Sequence, residues 1–535
     1  MKATWNTGLA GATAMTALIA MSGSLTAAEV TLRTKGGEFS IVGEIQSFGG
    51  GKYTILTKSL GLMTLDATRF DCIGSDCPGA SGRVVPAAAA TSGPVAGRGT
   101  ESIVSIAGSN TIGNQLMPSL IQEYATRNKL AVVTSIGANP LDITFKLGAG
   151  GTDAGSVELH RHGSTTAFKD LEAKTAVIGM SSRAIKKEEV DKLASSGLGN
   201  LKAPGSEHIL GLDGLQILVA PENGLRSISL DNAAKVFAGQ ITDWSALGLP
   251  PGSINVYAPT PDSGTFETFD QIVLKPRKLE IAAAAKRTEN HAEQSDWVAR
   301  DKNGIGFAGI AYQRNAKPVN IQLTCGLISV PSVFSMKTEE YPLSRRLFLY
   351  TSGEPQQPLA RNLLAFALSP AAQPIIKQND FIDQAPELID YDAQASRIAS
   401  AFNAPPEDFD ANLMRALIGD LKGAQRLSVT YRFQSASFSL DNKALADVAR
   451  LSDMLQSPEL KGKTLLLLGF ADSRGQFSTN LALSERRARA VMSALEARGA
   501  RSNVSIKAYS ELAPVACNDA EDGLQLNRRV EVWVR

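Results

Sequence analysis

The chain has 535 residues, with 54 lysines and arginines against 53 aspartates and glutamates, and four cysteines. So even a balance offers no basic field, which argues against nucleic acid or a broad anionic membrane surface as the main partner. The length allows about three domains.

Residues 1–28 read as a signal peptide. Lys2 is the only charge there, an apolar-to-small stretch runs from about Gly8 to Met21, and Thr26-Ala27-Ala28 is a small-residue exit. Cleavage is expected after Ala28 or one residue earlier, and removing Lys2 leaves 53 basic against 53 acidic residues. The apolar run is short and rich in Ala, Gly and Thr, which disfavours a membrane anchor, and no later stretch is long and apolar enough to span a bilayer. An exported chain invites disulfides. Cys72 and Cys77, in Cys-Ile-Gly-Ser-Asp-Cys-Pro, are expected to close a short loop. Cys325 and Cys517 fall in different expected domains, and the sequence leaves their pairing open.

Residues 29–84 suggest a small β unit, with alternating runs at Val30-Thr-Leu-Arg, Phe39-Ser-Ile-Val and Tyr53-Thr-Ile-Leu broken by Gly36-Gly37 and Gly49-Gly50-Gly51. The unit offers no chemical constellation. Residues 85–99, rich in Ala, Pro, Gly and Ser, read as a flexible linker.

Residues 100–390 alternate strand and helix patterns, implying an α/β architecture with helices covering largely parallel sheets. One local grammar recurs: an apolar strand, a turn of small hydroxyl residues, then a helix start. Ile103 to Ala107 leads to Gly108-Ser109-Asn110-Thr111 and a helix striped by Leu116, Leu120 and Tyr124. Gly163-Ser164-Thr165-Thr166 opens a short helix, and Ala176 to Met180 delivers Ser181-Ser182-Arg183. Ile254 to Tyr257 delivers Asp262-Ser263-Gly264-Thr265, with a helix from about Phe266. Each such turn aims backbone N–H groups and hydroxyl donors at one spot, with the positive helix end behind them, which suits a small oxyanion.

These turns, with His162-Gly-Ser-Thr-Thr-Ala-Phe-Lys-Asp-Leu, Phe237-Ala-Gly-Gln-Ile-Thr-Asp-Trp244 and Gly304-Ile-Gly-Phe, occur in an order that resembles the periplasmic phosphate-binding (PstS-like) branch of the solute-binding proteins. The resemblance implies a two-lobed periplasmic-binding-protein fold of type II with ligand in the cleft. One lobe would combine about 100–205 with 325–390, and the other would be about 206–324. It assigns anion contacts to Asn110, Thr111, Ile112 through its backbone, Ser164, Ser182, Ser263, Gly264 and Thr265. Two departures stand out. Ser182, followed by Arg183, occupies the place of an aspartate that accepts the ligand's proton, and Pro259 the place of an arginine. Arg183 is expected to restore the charge and Asp213 the acceptor.

Other patterns carry less. His160 and His162 share a face if extended, but no third ligand stands nearby in sequence, so they read as solvated or structural and no metal or cofactor is expected. Gly148-Ala-Gly-Gly-Thr-Asp lacks a dinucleotide fingerprint's spacing and leads into no helix. Asp262-Ser263-Gly264 is no nucleophile elbow, and no histidine partner can be assigned to Ser263, so the chain does not read as an enzyme.

Residues 391–425, broken by Ala404-Pro405-Pro406-Glu-Asp, read as an interdomain tether. Residues 426–535 form an α+β pattern. Leu427 to Phe433 reads as a strand, and Asp441 caps a helix bearing Leu445, Val448, Leu451 and Leu455. Thr464 to Leu468 is a buried strand, a helix runs from about Ser484 to Gly499, and further strands span Val504–Ala508 and Arg529–Val534. Gly469-Phe-Ala-Asp472-Ser-Arg-Gly475, Asn480-Leu-Ala-Leu-Ser-Glu-Arg-Arg487 and Asn527-Arg528-Arg529-Val-Glu resemble the OmpA-like peptidoglycan-binding domain. The resemblance implies that Asp472 takes the amine and Arg487 the carboxylate of a diaminopimelate stem peptide, supported by Asn480 and Arg529. A fixed acid beside a fixed arginine complements such a zwitterion.

The sequence therefore implies a periplasmic oxyanion-binding module, for phosphate foremost, tethered to peptidoglycan in a Gram-negative envelope, with an ABC transporter permease as a further implied partner. The alternative is a structural envelope protein whose central module is a degenerate scaffold.

Overall fold

The computed structural model describes residues 30–35, 40–49, 51–57, 61–74, 77, 103–261, 263–288, 290–403, 409–500 and 503–535. The signal peptide, the Gly36-Gly37 break, the 85–99 linker, Asp262 and the Ala404-Pro405-Pro406 break lie outside them. Two compact units form, one from residues up to 58 with 64–92, the other holding 93–535. Among the described residues no helix is long and apolar enough to cross a membrane.

In the first unit the strand Val30–Thr34 pairs antiparallel with Ser40–Gly49 on one side and Phe70–Ile73 on the other. Alternation sends Val30, Leu32, Tyr53, Ile55 and Phe70 inward, where all are buried. Cys72 and Cys77 are joined in a disulfide.

The second unit is built around a single long strand, Glu207–Val219. Its first half, Glu207 to Gly214, pairs antiparallel with Ser344–Tyr350. Its second half, Leu215 to Val219, pairs with Gly304–Gly309. The partner changes between Gly214 and Leu215, inside the strand and not at the 205/206 boundary expected from sequence. From Ile209 to Val219 the strand is buried at every position, with Asp213 and Gln216 among apolar neighbours, and so it serves two sheets without interruption.

On the first side, Ile103–Gly108 lies parallel to both Thr152–His160 and Ile178–Ser181, and the latter pairs with Ser344–Tyr350. On the second, Asn255–Pro259 lies parallel to Gly304–Gly309. An aromatic core fills this side, with Phe237, Phe269 and Phe307 in mutual ring contact. The C-terminal ends of the parallel strands carry the hydroxyl-rich turns, where ligands of open α/β sheets bind.

At the C-terminus, a sheet runs in the order Leu388–Asp390, Gln425–Arg432, Arg529–Val534, Thr464–Gly469, Asn503–Ala508. The helices Asn442–Leu455 and Phe477–Ala497 cover one face, burying Val448, Leu451, Ala488 and Val491. The second helix starts earlier than its apolar stripe suggested. Helices Ala395–Ser400 and Ala411–Leu421 bury Ile398, Met414, Leu417 and Leu421 against Leu466, Leu468 and Trp533. The expected tether is therefore part of a core in its described portions: its short helices carry enough apolar residues to cover the second face of the sheet.

Central and C-terminal modules are packed together. Cys325 and Cys517 form a disulfide. The Arg426 guanidinium, fully buried, pairs with Glu340 and Glu531, and Arg346 pairs with Glu339 (2.5 Å) and Asp441 (2.9 Å). Asn442 donates to the Lys202 carbonyl at 2.9 Å.

Candidate functional site

Three turns converge in the central module. Gly108 ends its strand at φ 133°, and a side chain there would sit 2.0 Å from the Met180 carbonyl oxygen, so the position requires glycine. The next residue's N–H, at Ser109, donates to that carbonyl (2.9 Å), while Gly163 N–H donates to the Gly108 carbonyl (2.9 Å). These two bonds draw the starts of Asn110–Gly113 and Ser164–Glu172 to the end of Ile178–Ser181. Ser164 and Ser182 are buried with their hydroxyls 3.1 Å apart, and the Ser182 N–H donates to Ser164 Oγ.

The third turn comes from the other sheet. Ser263 caps the helix Gly264–Phe269, its hydroxyl accepting from the Thr265 N–H at 3.2 Å. Gly264 faces Thr111 so closely that a Cβ would lie 2.4 Å from Thr111 Oγ1. Asn110, Thr111, Ile112, Ser263, Gly264 and Thr265 are thus brought to one meeting point. The first N–H groups of a helix precede its first internal acceptor; of these, Thr265 N–H is taken by the Ser263 hydroxyl and Thr166 N–H by the Gly163 carbonyl.

The charge at this point comes from Arg345, which sequence reasoning missed. Its side chain is 10% exposed, and its Nε donates to Asp213 Oδ2 at 3.3 Å. Its Nη2 donates to Thr111 Oγ1 (3.1 Å) and to the Gly264 carbonyl (3.0 Å). Its Nη1 is buried and has no hydrogen-bond partner among the described residues, as is true of Asn110 Oδ1. An orphaned guanidinium donor is costly unless something else satisfies it.

Arg183, expected to restore the charge, donates from Nη2 to Thr165 Oγ1 at 3.4 Å, beside Ser164. It pairs with Glu189 through two bonds of 2.8 and 2.7 Å and lies over the Phe168 ring. Asp213 does lie at the meeting point, buried, accepting from Thr268 Oγ1 at 3.0 Å as well as from Arg345.

A histidine partner for Ser263 does exist. His291 Nε2 lies 3.0 Å from Ser263 Oγ, and its Nδ1 lies 3.4 Å from Thr265 Oγ1. Burial lowers the His291 pKa, opposed by Asp213 and Asp380, which favours a neutral ring. The ring bridges the two hydroxyls of the turn. His160 and His162 also acquire a companion that sequence could not show, since Asp142 contacts both.

In the C-terminal module Asp472 is 7% exposed and follows the strand Thr464–Gly469. Its Oδ1 accepts from the Arg474 N–H (3.0 Å), and its Oδ2 accepts from Arg528 Nη1 (2.7 Å). Asn480 donates to the Asp472 carbonyl (3.0 Å) and to Glu511 (2.6 Å). Arg487 is fully buried and donates to the carbonyls of Phe470, Ser437 and Gln434 at 3.2–3.4 Å. Burial lowers its pKa to about 10, with Asp472 pulling the other way. Arg529 does not join this group: it stacks over Phe470 at 4.0 Å and pairs with Glu531 at 2.7 Å. Arg528, the cap residue between the helix Glu521–Asn527 and the strand Arg529–Val534, reaches Asp472, whereas Arg529 opens the strand and pairs with Glu531.

Comparison with known proteins places these features. A family model described as a PBP superfamily domain matches residues 89–371. The chain belongs to the PBP superfamily. Residues 432–528 match the OmpA family, so the PBP domain is followed by a C-terminal OmpA domain of α+β build, as the motifs implied. Protein SphX of Synechococcus elongatus is 28% identical over 262 residues, spanning 47% of this chain and 68% of the relative. Phosphate-binding protein PstS of Borreliella burgdorferi is 23% identical over 287 residues, spanning 53% of this chain and 90% of that protein. A solved ABC-type phosphate transport receptor from Vibrio cholerae is 19% identical, covers 52% of this chain and 99% of its own, and superposes with a TM-score of 0.40. In the PBP domain the residues that sequence supplied are the turn tips, while the long-range partners Arg345 and His291 carried no local signal.

Proposed function

We propose that the PBP domain binds a tetrahedral inorganic oxyanion, phosphate foremost, and that the OmpA domain holds the protein on peptidoglycan. The observation that carries the first half is Arg345 Nη1, a buried guanidinium donor without a partner among the described residues, beside Thr111 and Gly264. Uncharged donors from the helix starts surround it, and Asp213 is at hand to accept a proton from a protonated ligand. The phosphate-binding name of the PstS relative supports phosphate as the guest.

Lobe closure over the anion converts occupancy into a change of shape that a partner such as an ABC transporter permease reads. The role is binding: among the described residues the side-chain hydrogen bonds of His291 run to the Ser263 and Thr265 hydroxyls, and the PstS relative is named as phosphate-binding. The OmpA domain takes diaminopimelate through Asp472 and Arg487, which fits an exported protein of the periplasm of a Gram-negative cell. Arg487 contributes a guanidinium hydrogen-bonded to carbonyls, ready for a carboxylate.

Calorimetry of the full mature chain with phosphate and with sulfate tests the first half. Saturable heat with phosphate at micromolar Kd, about 8 kcal/mol of binding free energy, is expected. No heat with either anion overturns this reading and leaves the PBP domain a scaffold. The full chain is required because the Cys325–Cys517 bond and Arg426 cross between the modules.

A further inference from the structure

We propose that Asp142, His160 and His162 form a binding site for a borderline first-row dication of the Zn2+ type, separate from the oxyanion site. The strands Asp142–Ala149 and Thr152–His160 pair antiparallel, with Asp142 directly opposite His160. His162 follows two residues on and returns to the same side, its ring stacked near His160 at a centroid distance of 6.4 Å. His160 Nδ1 lies 2.9 Å and His162 Nε2 2.7 Å from the same Asp142 Oδ1, and the three potential ligand atoms lie within 4.8 Å of one another.

Two imidazoles and one carboxylate suit zinc-type ions, and donors about 2.0–2.2 Å from a metal sit somewhat more than 3 Å apart. The two Asp142–histidine distances therefore need to open by only a few tenths of an ångström. Arg161, between the histidines, is buried and donates to the Leu141 carbonyl at 3.1 Å and to Asn114 Oδ1 at 3.2 Å, which fixes the backbone that carries both rings. Glu158 stands 3.9 Å from His160 Nε2 and adds negative potential, while the Arg161 charge opposes it. The three side chains are each about one-third exposed, so a bound ion keeps solvent-facing positions.

Competing ligands are few. All four cysteines are in disulfides, His208 is engaged with Thr351, and His291 with the Ser263 turn. In the tag-free, chelator-stripped full chain, titration with Zn2+ against a chromophoric chelator is expected to show one equivalent bound. His162→Gln and Asp142→Asn should each weaken it at least about tenfold, whereas His208→Gln should leave it unchanged. Absence of saturable binding, or binding in Asp142→Asn and His162→Gln as tight as in the parent chain, overturns the proposal. A readout on the unaltered chain guards against misfolded variants: Co2+ should show imidazole coordination in its absorption and paramagnetic NMR spectra, and a spectrum without it overturns the site.

Discussion

Arg345 and Arg346, consecutive on the strand Ser344–Tyr350, serve opposite faces of it: Arg345 reaches Asp213, Thr111 and Gly264, and Arg346 reaches Glu339 and Asp441. Successive side chains of a strand alternate sides, so one backbone register sets both contacts at once. Asp441 is the cap of the first helix in the OmpA domain, its Oδ1 accepting from the Ala444 N–H at 2.7 Å. The strand thus joins the candidate anion site to the start of the second domain through two adjacent residues.

Replacing Arg345 should remove the guanidinium that bridges Thr111, Gly264 and Asp213 at the candidate anion site. Arg345→Gln alone would strand the buried Asp213 charge, so the informative variant pairs it with Asp213→Asn. A hydrogen bond to a charged group is worth about 1.5–3 kcal/mol, so phosphate affinity should fall roughly ten- to hundredfold. Calorimetry on folded protein checks this, and unchanged affinity would move the site away from this strand.

Gly264→Ala tests the contact between the turns. The added methyl would sit 2.4 Å from Thr111 Oγ1 and 2.9 Å from its Cα, and the second of these is backbone that cannot swing aside. The cost falls on the approach of the two turns and not on either core. Phosphate binding should weaken at least about tenfold, with a loss of melting temperature of only a few degrees, as a change of about 1 kcal/mol implies. A Gly264→Ala protein that binds like the parent would show that the turns need not meet.

How much of this was legible in sequence follows from the range of each signal. A strand, a small-residue turn and a capped helix are local, and so Asn110, Thr111, Ser164, Ser263 and Thr265 could be read as donors before any fold was known. Arg345 sits in Ser-Arg-Arg-Leu-Phe-Leu-Tyr, where either arginine could face solvent, and its meaning depends on Asp213 across the sheet. Asp142 and His160 are 18 residues apart and become neighbours only through strand pairing. The 391–425 stretch looked like a tether because its apolar faces have no visible partner until Trp533 and Leu466 supply one.

The contact between the domains should weaken in acid. Burial by itself would raise the Glu339 pKa, but the charge and hydrogen bonds of Arg346, with Lys443 and Arg432 behind it, bring it down from 4.5 to about 2. A carboxylate depressed on folding stabilises the native state above its unfolded pKa and loses that contribution as pH falls through the folded one. The window is therefore about pH 4.5 down to 2, and the full effect is on the order of 3 kcal/mol. Melting curves across that range should decline steeply for the parent chain. Glu339→Gln should start lower at neutral pH and decline less, and parallel declines would remove Glu339 from the account.

Peptidoglycan attachment should depend on Asp472 and Arg487 unequally. Asp472 already bonds Arg528 at 2.7 Å, so a ligand ammonium must share that carboxylate, and Asp472→Asn keeps the shape while removing the charge that both cations need. Arg487 hydrogen-bonds to three carbonyls and lies over the Phe433 ring, and Arg487→Lys retains its charge but loses the planar fork that grips a carboxylate. Sedimentation with purified peptidoglycan should therefore be abolished in Asp472→Asn and reduced about tenfold in Arg487→Lys, one charge-assisted bond being worth roughly 1.5–3 kcal/mol. Arg474→Ala removes an exposed pair with Glu521 and should pellet like the parent chain. If Asp472→Asn pellets normally while its circular dichroism is unchanged, the acid belongs to the Arg528 network of the fold and not to the ligand.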